Sequence, residues 1–377
     1  MIHPAVLPDE IVVSLFARAC RINGVSDYAD FASQFFGETC PSFIGARLDF
    51  PEISRKTLFR YGGPMAFVEN LTVLGARSRL GEIDADVLSA IAQGHYRPSL
   101  SELVFSGPAA LKYCSECLHA DLMTYGMTYW HRMHQVQVLP ICPKHRKALI
   151  SYEMKKGGLQ TQFPLPGDIQ SDSPRHYDGG DEIGGFLGEL VDVVRGSFRS
   201  EPLMETRVVK ATILDGLRSR RLVNCRGSFR KKEMVEQIAV VLTETACLAA
   251  LADPKVVAKR LVAGLESHQG LPFGNALWIA WLFGSWDAFI ERCGWVGILG
   301  VDVCLSDGRI TQTVESDLID HHRQVCTDYV RLNPGCTRLE FTRAEYRSFR
   351  WLRHNDSAWL QERLPVLREG GGAWRLF

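Results

Sequence analysis

Two short hooks, Cys114-x2-Cys117 and Cys142-x2-His145, lie 24 residues apart and constrain this chain more than any other feature. A two-residue gap lets both members of a hook reach one ion, and two facing hooks supply the four ligands of a tetrahedral site. Pro143, inside the second hook, fixes φ and stiffens that turn. Three thiolates and an imidazole leave no position for water or substrate, so the pattern predicts a structural Zn2+ bound by Cys114, Cys117, Cys142 and His145. No catalytic residue is assigned, and the expectation is a recognition module that is not an enzyme. A metalloenzyme would need one of these ligands to give way to water. His119, His131 and His134 lie nearby, but none makes a two-residue hook with a cysteine, so they are expected to stand apart from the ion.

At 377 residues the chain has room for two or three domains of about 150 residues each. With 46% apolar and 23% charged residues it is expected to be globular. Lys plus Arg and Asp plus Glu both number 43, so any basic surface for nucleic acid must be local. The first fifteen residues, with Asp9 and Glu10, lack the cationic and apolar segments of a secretory leader. The eight cysteines outside the hooks are scattered without paired spacing, as in a reduced, cytoplasmic protein. Ser267 to Trp286 carries no charge, yet Pro272, Gly274, Asn275 and Gly284 interrupt it, so a buried core helix is expected there and no membrane span.

Ile11, Leu15, Ala19 and Ile22 recur at helical spacing, Asn23-Gly24 breaks the pattern, and Ser26 or Asp27 offers an N-cap for a second helix over Tyr28 to Phe36. This has the shape of a helix-turn-helix, a shape that ordinary core helix pairs share. Asp84 to Gln93 predicts a helix with Val87, Leu88 and Ile91 on one face. Between the hooks, Tyr125, Tyr129, Trp130 and Leu139 are enough for a small core beside the ion. Gly and Pro crowd residues 153–185, where a linker or long surface loop is expected. Beyond it, helices are predicted over Phe186 to Val194, Val208 to Leu217, Lys232 to Leu251, Pro254 to Leu265, Ala276 to Cys293 and Leu318 to Val330, with Val296 to Cys304 the best strand. The expected fold is mostly α: an N-terminal helix-turn-helix and zinc-knuckle domain over residues 1–152, the linker over 153–185, and a helical C-terminal domain over 186–377.

Residues 201–232 hold nine basic side chains against Glu201, Glu205 and Asp215. Among them Arg218, Arg220, Arg221, Arg230, Lys231 and Lys232 are candidates for phosphate contact, and a solvated helix face explains the same run. Arg343, Arg347, Arg350 and His354 are spaced to share one face of a helix ending near Asn355, where the arginines meet either nucleic acid or Glu340 and Glu345. Lys144, Arg146 and Lys147 flank the last hook, touching phosphate or keeping the knuckle soluble. No Gly-rich phosphate loop ending in Lys-Ser/Thr appears, and nothing points to nucleotide hydrolysis.

Tyr113-Cys114-Ser115-Glu116-Cys117, Tyr125-Gly126, Tyr129-Trp130 and Leu139-Pro140-Ile141-Cys142-Pro143-Lys144-His145 together resemble the signature of the TniQ/TnsD family of transposon target-selection proteins. Pro8-Asp9-Glu10, Ser14-Leu15, Arg18 and Asn23-Gly24 are similar to that family's opening segment. Trp351-Leu352, Asp356 and Trp359-Leu360 resemble a C-terminal element of the TnsD branch, with His354 and Asn355 in place of its Arg-His. Residues 150 to 200 hold no cysteine, so the second cluster of some relatives has no counterpart. The resemblance implies a non-enzymatic adaptor that marks an insertion site and recruits an AAA+ ATPase regulator of the transposase. One branch binds attachment-site DNA directly; another sits on a CRISPR RNA-guided effector complex. A zinc-containing transcription regulator using the helix-turn-helix is the reading from outside the family. Homodimerisation is compatible with each of these, and none involves a membrane.

Overall fold

The computed structural model describes residues 2–25, 49–51, 62–104, 110–153, 164–169, 185–199, 203–224, 228–245, 253–265, 270–298, 303–306, 309–312, 315–345, 348–349, 352–353 and 356–364. They divide into two compact units, Met1–Thr311 and Gln312–Phe377. The elements are overwhelmingly helical, with two short two-stranded sheets.

Helix α1, Val12–Ile22, starts after an extended Ile11 and buries Val12, Val13, Leu15, Phe16 and Ala19. Each of the larger four, Val12, Val13, Leu15 and Phe16, is worth about 1.5–3 kcal/mol when taken fully out of water. Asn23 and a left-handed Gly24 (φ 64°) end it. The second helix expected over Tyr28 to Phe36, and with it the helix-turn-helix, lies outside the described residues. Pro64 at its first position opens α2, Pro64–Leu71, and α3 (Leu74–Arg79), α4 (Ala85–Ala92) and α5 (Leu100–Val104) follow. On α4, Leu88 and Ile91 are buried as their spacing predicts, whereas Val87 is exposed: the core meets a face narrower than the apolar stripe. Strand β1, Ala110–Tyr113, pairs antiparallel with β2, Ile150–Glu153, Tyr113 opposite Ile150, and helix α6, Ser115–Tyr125, runs on from β1. These strands are four residues each, too short to show alternation above the helical background of the sequence.

The chain continues with α7 (Gly185–Ser197), α8 (Thr206–Ser219), α9 (Lys231–Glu244), α10 (Pro254–Gly264), α11 (Gly274–Phe283) and α12 (Trp286–Ile298), then the paired strands β3 (Val303–Ser306) and β4 (Arg309–Gln312). The single helix expected over Ala276 to Cys293 is two helices. Gly284 (φ 76°) closes α11, its N–H on Ala280 O at 2.9 Å, and this left-handed position breaks the run. The strand expected over Val296 to Cys304 is corrected at its start: Val296 is a buried residue of helix α12, and the strand described here is Val303–Ser306. Asp192 Oδ2 accepts Trp286 N at 2.9 Å at the start of α12, and the indole of Trp286 fills the space above Gly196 on α7.

One hydrophobic core runs from α1 through α12. Beside it, half-buried Glu82 accepts the N–H groups of Phe273 (2.9 Å) and Asn275 (3.1 Å) at the start of α11, while Asn275 Nδ2 donates to Leu80 O at 2.8 Å. Within the stretch expected as a linker, residues 164–169 pack on the hook region: Trp130 Nε1 donates to Pro164 O at 2.8 Å and Gly167 N to Thr128 Oγ1 at 2.9 Å. No helix among the described residues is long and apolar enough to cross a membrane.

The second unit holds α13 (Glu315–Leu332), α14 (Arg338–Ala344) and α15 (Ser357–Arg363) around Cys326, Phe341, Leu352, Leu360 and Leu364. Thr337 and Glu340 form a capping box that opens α14. That helix stops at Ala344, with Glu345 outside helical dihedrals, so Arg343 ends a short helix and the four-residue basic stripe does not run on one continuous helix. Arg347, Arg350 and His354 lie outside the described residues. Asp356 precedes α15, and its carboxylate accepts Arg323 Nε at 2.7 Å and does not cap the helix.

Candidate metal centre

Strand β1 and helix α6 supply the first hook. Cys114 leaves the strand in extended geometry (φ −109°, ψ 133°) as N-cap of α6, its carbonyl accepting Leu118 N at 2.9 Å, and Cys117 falls in the first helical turn. The second hook is a tight turn. Cys142 N donates to Lys147 O (2.7 Å), Arg146 N to Cys142 O (2.8 Å) and Leu149 N to Pro140 O (2.9 Å), with Arg146 in the left-handed region at φ 55°. This folds His145 back over Cys142.

The four donor atoms all lie within 4.8 Å of one another. Cys117 Sγ is 3.7 Å from Cys142 Sγ, and His145 Nδ1 is 3.6, 3.2 and 3.8 Å from the sulfurs of Cys114, Cys117 and Cys142. Bonds of about 2.3 Å to sulfur and about 2.0–2.1 Å to nitrogen at tetrahedral angles require S···S near ~3.8 Å and S···N near ~3.6 Å. The group is buried and has the geometry to hold one metal ion, and its soft, mixed donor set suits Zn2+. Hydrogen bonds from the Cys117 and Cys142 thiols hold Cys114 far below the thiol range, while sharing with Cys114 pushes Cys117 up and Cys142 up to about 11. Three sulfurs this close ionise together only around a cation.

The surroundings are polar and tightly bonded. Half-buried Lys112, whose ammonium is pulled down to about 7 by loss of solvent, donates from Nζ to Val136 O (2.6 Å) and Leu139 O (2.9 Å) on the segment leading to the second hook. Asp9 accepts Met133 N at 3.1 Å and meets Arg132 Nε at 3.3 Å, and Arg132 N donates back to Asp9 O at 2.7 Å. Of the four residues expected to build a small core here, Tyr129, Trp130 and Leu139 are buried; Tyr125 is exposed at the end of α6, touching Tyr129 edge-on. Of the nearby histidines, His131 Nε2 meets Asp121 Oδ2 at 2.8 Å, His134 lies against the cluster, and His119, on α6, touches none of the four donors. His134 Nε2 is 3.4 Å from Cys142 Sγ and 3.8 Å from Cys117 Sγ, a contact that sequence spacing does not anticipate.

The candidate phosphate-binding residues sort by their partners. Arg218 and Arg221 close α8, and Arg230, Lys231 and Lys232 open α9. The ends of the two helices are joined by backbone pairing, Arg230 N donating to Leu222 O at 2.9 Å and Val223 bridging Phe229. Arg220 turns away to its own chain, donating to Trp281 O at 2.5 Å with its guanidinium 4.3 Å from the Trp281 ring centroid. Arg230 pairs with Glu233 at 3.3 Å. Arg218, Arg221 and Lys232 have no ion pair among the described residues, and Arg343 is exposed. Outside the basic run, α10 exposes Lys255, Lys259 and Arg260 with no carboxylate partner among the described residues. These three lie beyond the basic run of residues 201–232 and so fall outside the charge cluster visible in the sequence.

Residues 1–149 match the TniQ family model. No curated protein matches the chain.

Proposed function

We propose that this chain, whose residues 1–149 belong to the TniQ family, is a target-selection adaptor in transposition that marks the insertion site on DNA and recruits an AAA+ ATPase regulator of the transposase. The family match carries this reading, since it ties the chain to transposition. The protein does no chemistry of its own: the ion held by Cys114, Cys117, Cys142 and His145 has a closed coordination shell and serves to fix the surface around it. Duplex DNA is held through phosphates by cations at the α8–α9 junction, half-buried Arg218 with exposed Arg221, Lys231 and Lys232, and by exposed Lys255, Lys259 and Arg260 on α10. Gel shifts of duplex DNA at rising salt test this. Retardation at low salt that fades steeply as salt rises is expected; no retardation at any salt would remove direct DNA binding.

A second reading is an adaptor tethered to an RNA-guided effector complex, reading little sequence itself. What favours it is that Arg220 and Arg230 are engaged within the chain and the net charge is zero. Co-purification with CRISPR effector subunits, in place of DNA retardation, is its signature.

A further inference from the structure

The ring of His134 is 2% exposed and belongs to neither hook. Its Nε2 faces Cys142 Sγ at 3.4 Å and Cys117 Sγ at 3.8 Å, while its Nδ1 is buried without a hydrogen-bond partner. The 3-10 turn that carries it, Met133–Gln135, is fastened at both ends. Asp9 Oδ2 holds Met133 N at 3.1 Å, and Gln135 bonds both the N–H and the carbonyl of Lys112, at 2.9 Å each, one residue before Tyr113 and the first hook. His131 packs on the ring with centroids 4.8 Å apart.

We propose that His134 is a positioning residue of the metal centre: its Nε2–H donates to the Cys142 thiolate and sets how tightly the site holds Zn2+. Three observations lead there. His145 Nδ1 lies within 3.8 Å of all three sulfurs and so completes the tetrahedron, whereas His134 reaches only the edge formed by Cys117 and Cys142. It stands outside the ligand set. Next, a neutral imidazole carries one N–H. Placed on Nδ1 it is a buried donor with no acceptor; placed on Nε2 it has a sulfur acceptor and leaves only a lone pair unpaired, the cheaper defect. Finally, three thiolates and a neutral imidazole around a dication leave an excess negative charge in a buried place, which N–H donors to sulfur disperse. Cys142 already accepts the backbone N–H of His145 at 3.4 Å, so His134 gives it a second donor and binds the 3-10 turn to the far hook. This role holds whatever surface the chain uses to meet DNA.

The test uses the full chain loaded with Zn2+ or Co2+ and four forms: the natural protein, His134→Phe, His134→Gln and His134→Asn. A Gln amide places its N–H where Nε2–H stands, whereas Asn places it near Nδ1, away from the sulfurs. In competition with a chromophoric chelator, His134→Phe and His134→Asn are expected to bind Zn2+ about 10–100-fold more weakly, and His134→Gln to recover most of that loss. With Co2+, the sulfur-to-metal charge-transfer band should move to longer wavelength in the Phe and Asn variants, while the d–d intensity of a four-coordinate site persists. Equal affinity and equal bands for Gln and Asn would overturn the assignment. Loss of the four-coordinate d–d intensity would overturn it differently, by making His134 a ligand. If His134→Phe fails to fold, as read by far-ultraviolet circular dichroism, the Gln and Asn pair decides.

Discussion

Glu10 and Arg18 form an ion pair at 2.6 Å with side chains 0% and 7% exposed. Arg18 also donates to Ala5 O and contacts Met127 Sδ, both at 3.1 Å, so the pair clamps the chain entering α1 to the residues that follow α6. Burial pushes the Glu10 carboxyl up, against the opposing pull of Arg18. Two ions taken from water at that depth are tolerated only as a pair. Arg18→Ala is therefore expected to lower stability by about 3–5 kcal/mol in urea denaturation, because it strands the Glu10 charge. Replacing both by apolar residues of similar size should cost far less. At the ligands, Cys142→Ser is expected to lose bound Zn2+ by elemental analysis, whereas Cys20→Ser keeps it: burial pushes the Cys20 thiol up to about 12, and Cys20 is not among the clustered donors.

Between elements, close approach depends on small residues and unusual caps. A Cβ on Gly196 would run into the Trp286 indole, and one on Gly81, at φ 68°, would lie 2.6 Å from Val209 Cγ1. Neither neighbour is the free end of a flexible chain. Gly196→Ala is expected to destabilise by at least ~1–3 kcal/mol, the usual scale of overpacking, read as a lower urea midpoint with an unchanged slope. Glu82 acts as a long-range cap, holding two N–H groups of α11 from 191 and 193 residues away while pairing with Arg77 Nε at 3.1 Å. Glu82→Ala is expected to cost ~1–2 kcal/mol, the scale of removing a cap, and to raise hydrogen exchange at Phe273 and Asn275.

At the scale of the molecule, the ligand cysteines cluster with Leu149, while their neighbours Tyr113, Leu139 and Ile141 belong to the core shared with helices α7 to α12, so loss of the ion should be felt through Met1–Thr311. Chelation is expected to lower the melting temperature of that unit, to open residues 110–153 to protease and to abolish partner binding; an unchanged melt and unchanged binding after verified metal removal would contradict the structural role of the site. Charge is also settled at this scale. Replacing Arg218, Arg221 and Lys232 together by Gln is expected to lower the slope of log K against log salt by about 0.9 for each phosphate that these side chains neutralise. The same change at Arg220 and Arg230 should leave the slope nearly unmoved, since Trp281 and Glu233 already occupy them.

The sequence by itself determined what depends on short separations. Cys114, Cys117, Cys142 and His145 announce a site because a hook is a local turn, and helices such as Val12–Ile22 and Pro254–Gly264 are visible because their apolar period repeats within one element. The tertiary structure decided what depends on partners far along the chain: that His134 meets the cluster while His119 does not, that Arg220 is taken by Trp281, that Ala276 to Cys293 breaks at Gly284 so Trp286 can drop onto Gly196, and that Glu10 answers to Arg18. Spacing encodes reach along one chain segment, whereas burial and pairing are properties of surfaces that exist only after the segments have met.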